Sequence, residues 1–268
     1  MADRASALPD YQIPPVNEVV FGIQFQKIEN FQTPHIGLLW EKLGREKFPR
    51  WQEMPTINRI IETFNGPKAP QFGIETYDKP PLPRLLFINS DENHLVQVQQ
   101  DRFLQNWRKL KPDDTYPRFR TLYPEFKKSW DFFNSFLHDV NLPKPIPDQY
   151  ELTYVNQITQ GEGWEKLTDI DKVFRDFQCE TSGRFLPEPE TLNWRKTYRL
   201  PDKMGRLHTT MKLVSTKDGK RIMLFELTAR GFGNASMDEW FAMGREWIVR
   251  GFADLTADRV QKEIWQRK

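Results

Sequence analysis

Apolar and polar positions along this chain repeat one succession twice. The segment "VNEVVFGIQFQ" alternates, with Val19, Phe21, Ile23 and Phe25 on one side and Glu18, Gln24 and Gln26 on the other. That is the period of a half-buried strand. The next segment, "TPHIGLLWEKLGREKF", predicts a helix: Thr33 can cap it, Pro34 suits the first turn, and Ile36, Leu39, Trp40 and Leu43 recur at helical spacing. "PRLLFINSDENHLVQVQQ" reads as a hairpin turning at "SDEN". Phe126, Trp130, Phe133 and Leu137 then mark an amphipathic helix after Pro124.

Beyond the proline-rich "LPKPIPDQ" the order recurs. A strand, "YELTYVNQIT", is followed by a helix, "WEKLTDIDKVFRDF", then by the strands "NWRKTYRL", "GRLHTTMKLV" and "RIMLFELTAR", and by a helix from about Met237 to Trp265. Asp218-Gly219 in "TKDGK" is a hairpin turn signal. The expected fold is therefore α+β, made of two similar strand, helix, antiparallel strands, helix units, whose sheets are covered by helices on one face. Residues 1–14 read as a flexible arm, 15–147 as the first unit and 148–268 as the second, with a boundary at the prolines. Residues 65–83, with five prolines and two glycines, read as a connection around a short strand, "QFGIETY".

The faces opposite the apolar ones carry the chemistry. In the second half these are His208, Thr210 and Lys212 with Glu226, Thr228 and Arg230; in the first half, Glu18, Gln24 and Gln26 with Gln97, Gln99 and Asp101. Glutamine and threonine form hydrogen bonds without carrying charge. Such a face suits a partner protein, an extended peptide or a nucleic-acid strand, or simply faces water. The candidate binding surface comprises Gln24, Gln97, Gln99, Asp101, Arg102, Asn106, Arg108, Arg195, His208, Lys212 and Arg230. In "VQVQQDRFLQNWRK", Phe103, Leu104 and Trp107 cannot share one register, so a bend or bulge is expected near residues 100–104. This predicts a strand-to-helix corner in which Asp101 and Arg102 bond loop amides or each other, Asn106 satisfies a turn and Trp107 plugs the space beneath.

Charge and composition narrow the classes. The 39 basic and 37 acidic side chains leave a net charge of +2, so no global field draws the protein to nucleic acid or to an anionic membrane. Arg102, Trp107, Arg108, Lys109 and Lys111, and Trp194, Arg195, Lys196, Tyr198 and Arg199, combine aromatic and basic groups as nucleic-acid contacts do, but near-neutrality disfavours that use. Cys179 is the single cysteine, which excludes an internal disulfide and a multi-cysteine metal site. "MADRASALPDYQ" lacks the apolar core of a signal peptide, and no apolar run has the length of a membrane span, so a cytoplasmic protein is expected.

Phosphate-loop, dinucleotide, zinc-protease and nucleophile-elbow motifs are missing. The four histidines, His35, His94, His138 and His208, lie far apart with no partner at metal-ligand spacing. Asp238 and Glu239 read as first-turn acids of a helix capped by Ser236, and Asp113 and Asp114 as turn residues. No cofactor, metal or catalytic residue is expected, and the reading leans away from an enzyme.

"PPVNEVVFGIQF", "VQVQQDRFLQNWRK", "YELTYVNQI" and "WIVRGFADLT" together resemble a sporadically distributed bacterial family of unknown function and about this length. The resemblance runs from about Pro14 to Trp265, and the Asp101-Arg102-Phe103 and Asn106-Trp107-Arg108 pattern is its most specific part. It implies a bacterial cytoplasmic protein distributed in the manner of mobile or defence-associated genes. One departure stands at Gly244-Arg245-Glu246, where the family pattern implies Gly-His-Glu. The resulting expectation is a non-enzymatic binding or accessory protein acting through protein contacts or as a homo-oligomer, antitoxin-like or part of a defence cassette. The alternatives are a small-ligand-binding or catalytic α+β domain, with its pocket between sheet and helices, and a nucleic-acid-binding protein.

Overall fold

The computed structural model of the chain describes residues 7–64, 82–178, 183–216, 219–232 and 235–268. The short strand read within 71–77, Cys179 and Asp218 lie outside them. In chain order the elements are β1 (Val16–Phe25), α1 (Thr33–Leu43), β2 (Arg50–Met54), β3 (Arg84–Ile88), β4 (His94–Gln99), β5 (Arg102–Arg108) and α2 (Phe119–Asp139). They continue with β6 (Pro147–Thr159), β7 (Asn193–Arg199), β8 (Arg206–Ser215), β9 (Arg221–Phe232), α3 (Met237–Leu255) and α4 (Asp258–Glu263).

The strands form one nine-stranded antiparallel sheet in the order β2-β3-β4-β5-β1-β6-β9-β8-β7. The expectation of a separate sheet for each half is corrected here. The first strand of each half is also its innermost, and β1 and β6 pair directly, with Gly22 opposite Glu151 and Gln24 opposite Gln149. On its other side Gly22 stands opposite Leu104 of β5, whose side chain reaches to 2.7 Å from where a Cβ at Gly22 would lie.

One face of the sheet is apolar. Val19, Phe21, Ile23 and Phe25 of β1 are buried, as are Phe103 and Trp107 of β5 and Leu152 and Tyr154 of β6. Phe126 of α2 stacks on Phe21 with ring centroids 5.2 Å apart and meets Phe241 of α3 at 5.3 Å, while Phe133 stacks on Phe103 at 5.2 Å. Each such ring contributes roughly 1.5–3 kcal/mol by leaving water. The chain before β1 is anchored to this core: Tyr11 packs edge-on to Phe252 and Trp265, and its hydroxyl donates to Gln261.

Several elements differ from their sequence reading. α1 begins at Thr33 with Gln32 as the capping residue, and α2 begins at Phe119, keeping Pro124 inside. The "WEKLTDIDKVFRDF" segment forms only a 3₁₀ turn at Leu167–Lys172, because Leu167, Ile170, Val173 and Phe174 are all drawn into the core. The last helix breaks at Thr256, which bridges to Phe174, so α3 and α4 are separate.

The corner expected around residues 100–104 is a tight hairpin. Gln99 pairs with Arg102 and His94 with Trp107, leaving only Gln100 and Asp101 to turn between β4 and β5. β5 then alternates without a bulge: Phe103, Gln105 and Trp107 face the helices, and Arg102, Leu104 and Asn106 face away. Asp101 and Arg102 do not pair with each other. Asp101 accepts from Gln99 Nε2 at 2.6 Å, and Asn106 donates to Glu18 of β1 at 2.6 Å rather than serving a turn.

Candidate functional site

On the face opposite α2 and α3, four directly paired positions form a row across adjacent strands. Gln99 of β4 stands opposite Arg102 of β5, Arg102 opposite Gln24 of β1, and Gln24 opposite Gln149 of β6. One pair further along β6, Glu151 stands opposite Arg230 of β9, and Arg230 opposite Arg206 of β8. Gln24, Gln99, Arg102 and Gln149 are all buried. What covers them is the protein's own chain: residues 55–64, leaving β2, run as an extended strap across the strands.

The span fits a fully extended chain. From β3 to β8 the strap crosses six strand spacings, about 29 Å at roughly 4.8 Å each, and eight residue steps of about 3.3–3.6 Å supply that length. The sheet's own main-chain groups are committed to its ladders, so the strap's peptide groups are satisfied by side chains. Gln99 holds both polar groups of Ile57, accepting from its N–H at 2.8 Å and donating to its carbonyl at 2.9 Å. Arg102 donates to the Asn58 carbonyl at 3.2 Å. Gln24 accepts from the Ile60 N–H at 3.2 Å, and Gln149 donates to the Ile60 carbonyl while accepting from the Glu62 N–H at 2.8 Å. Glutamine suits this role because one amide head carries a donor and an acceptor and no charge. Arg84 closes one end on the Pro55 carbonyl, and Arg206 the other on the Thr63 carbonyl at 2.8 Å.

Two strap side chains are anchored by charge. Glu62, 6 % exposed, receives Arg206 Nη1 at 2.5 Å and His208 Nε2 at 2.6 Å, with Arg230 at 3.7 Å. Because an ionised carboxylate only accepts, His208 carries its proton on Nε2 here, while its Nδ1 bonds Thr197 at 3.2 Å. Arg230 is shared with Glu151 at 2.9 Å, and the Arg206 guanidinium lies 4.4 Å over the Phe64 ring. Arg59 is held by Asp148 and by Gln26.

Burial pushes the Glu62 pKa up, but the hydrogen bonds from His208 and Arg206 and the charges of His208 and Arg230 outweigh it, so the net shift is below the ordinary 4.5. A depressed carboxylate stabilises the docked strap above the unfolded-state value and loses that contribution as pH falls through the folded-state one. Strap docking is thus expected to weaken as pH falls below about 4.5. Fluorescence of a probe attached at Ile60, which is 48 % exposed, followed from pH 7 to pH 3, would test this; an unchanged signal between pH 5 and pH 3 would contradict it.

Of the residues singled out in the sequence, ten lie on this face of the sheet and Asp101 lies in the hairpin turn beside it. Gln24, Gln99, Arg102, His208 and Arg230 meet the strap or its anchor. Gln97 and Asn106 form a second chain beside it, from Arg84 through Gln97 and Asn106 to Glu18. Arg108 donates to the Glu92 carbonyl at 2.8 Å, away from the strap, and Arg195 and Lys212 are exposed on the far strands. Of the uses open to the first half's polar face, simply facing water is not the one found: Gln97 and Gln99 are each 6 % exposed. Trp107 is 3 % exposed, so the first basic-aromatic stretch presents no indole for stacking on a base. Sequence reasoning missed Gln149, Glu151, Arg206, Arg59 and Glu62. Gln149 alternates with Tyr150 and Leu152, which was a usable signal; the strap itself has no periodicity.

A second feature is a cleft of about 700 Å³ between the end of α1, the β3–β4 turn and α2. Lys47, His94, Gln105, Glu125 and Lys128 contribute its polar walls. Burial, chiefly, lowers the His94 pKa, and Gln105 Oε1 is buried without a hydrogen-bond partner.

Fold and site together define an antiparallel α+β protein whose polar sheet face holds an extended polypeptide. No protein-family model, no curated protein and no solved structure matches this chain. Among the described residues, no helix is long and apolar enough to cross a membrane.

Proposed function

We propose that this chain is a non-enzymatic binding or accessory protein, of the sporadically distributed bacterial family it resembles, whose polar sheet face receives an extended polypeptide from a protein partner. The observation that carries this reading is the row Gln99, Arg102, Gln24 and Gln149, whose heads bond main-chain groups of residues 57–62 rather than their side chains. A surface that reads main chain accepts many sequences, as strand-adding domains do. The same reading takes the chain as a duplication with its long helices on one face. Its support is the mirrored strand order, β1-β5-β4-β3 outward on one side and β6-β9-β8-β7 on the other, with α2 following β5 and α3 following β9. A role in a defence cassette, antitoxin-like, follows from the resemblance alone.

The test is retention of protein partners from the native host on wild type and on a Gln24→Ala/Gln149→Ala variant of unchanged fold. A stoichiometric partner held by wild type and lost from the variant is expected. Equal retention by both, or a protein that elutes alone and turns over small substrates, overturns the reading.

The small-ligand alternative has one observation in its favour, the unpaired Gln105 Oε1 at the 700 Å³ cleft, within the size range of ligand pockets.

A further inference from the structure

Resting on that reading, we infer the class of segment the face takes and how access to it is controlled. The row is a receptor for an extended partner segment with a basic residue three positions ahead of an acidic one, and the strap is its competitor in cis.

The strap shows which features of an occupant are read. Main-chain groups at 57, 58, 60, 62 and 63 are held without regard to side chain. Only two side chains are fixed by charge. Asp148 and Gln26 take the guanidinium of Arg59, and Arg206, His208 and Arg230 take the carboxylate of Glu62. Both anchors are built from β6, β8 and β9 and from Gln26, which directly follows β1, so they stay in place if the strap leaves. A partner bearing basic-x-x-acidic in an extended segment would meet the same groups at the same spacing.

The strap is also built to leave. Among the described residues no main-chain to main-chain hydrogen bond ties 55–64 to the sheet beyond β2. Asn58, Arg59 and Ile60 are exposed, and of the strap only Glu62 is buried. A segment with little apolar burial, held through side chains, opens at the low end of the stability range. Because it is tethered, it competes at high effective concentration, and an incoming segment binds in proportion to the open fraction.

The test uses the full chain and a fluorescein-labelled peptide of the strap sequence, PTINRIIETF, capped at both ends. The hosts are wild type and an Arg59→Ala/Glu62→Ala variant with its cis anchors removed; Arg59→Gln/Glu62→Gln replaces it if the first melts differently from wild type. The comparison peptide has alanine in place of its arginine and glutamate. The anchor-free host is expected to bind the strap peptide at least about tenfold more tightly than wild type does, and at least about tenfold more tightly than it binds the alanine peptide. Equal binding of both peptides by the anchor-free host leaves the main-chain receptor standing and overturns the charge motif. Equal binding of the strap peptide by wild type and variant overturns the competition. Binding of neither peptide by either host overturns the receptor itself.

Discussion

Trypsin is expected to cut after Arg59 at least about tenfold faster in Glu62→Ala than in wild type, since removing one partner of a buried ion pair is destabilising and the strap opens from the low end of the stability range. The loss is local. Arg206, Arg230 and His208 keep side-chain exposures of 19 %, 15 % and 18 % even under the strap, and they hydrate when it lifts, so the urea midpoint should move little. Glu62→Gln should fall between, because a neutral amide still accepts from Arg206 and His208 but forfeits the charge. The rate of cleavage at Arg59, followed by mass spectrometry under native conditions, decides it. An unchanged rate in Glu62→Ala would show that the carboxylate does not hold the strap.

The largest loss of global stability is expected from Gly231→Ala. A Cβ at Gly231 would lie 1.8 Å from the Met204 carbonyl oxygen and 2.7 Å from Gly205 Cα, and one at Gly205 would lie 2.1 Å from the Arg230 carbonyl oxygen. Here the two main chains touch, between the start of β8 and the end of β9, and no flexible side chain can give way. Separating them shifts Arg206 and Arg230, the two cations that anchor Glu62. The expected cost is about 3 kcal/mol or more, at the upper end for overpacking, together with loss of strap docking. Gly37→Ala is the control. Gly37 is exposed within α1 with nothing within 4 Å of where the new methyl group would sit, and the change should stabilise by roughly 0.5–1 kcal/mol. Urea unfolding of the three proteins measures both effects. A Gly231→Ala protein as stable as wild type would contradict the close crossing.

Most strands were legible because a period of two assigns each residue to a face without knowledge of the partner strand. That is why Gln24, Gln97, His208, Lys212 and Arg230, chosen from four different strands, all stand on one side of the sheet. Register was not legible. It depends on turn length, and the two-residue turn at Gln100 and Asp101 restarts the alternation in a way that reads along the sequence as a bulge. Without register, the row from Gln99 to Gln149 cannot be seen. Gln149 was lost for another reason: it stands at the end of "LPKPIPDQ", whose prolines signal a boundary, although β6 already begins at Pro147. The strap was out of reach altogether, since "PTINRIIETF" follows the period of neither strand nor helix and its conformation is imposed by the face beneath.

Hydrogen exchange at the Ile57, Ile60 and Glu62 amides tests most directly whether a row of side-chain amides holds an extended main chain. In wild type these three should exchange at least about tenfold more slowly than in a free peptide of the same sequence, and in Gln24→Ala/Gln99→Ala/Gln149→Ala at the free-peptide rate. Free-peptide exchange at all three positions in the wild-type protein would contradict the account.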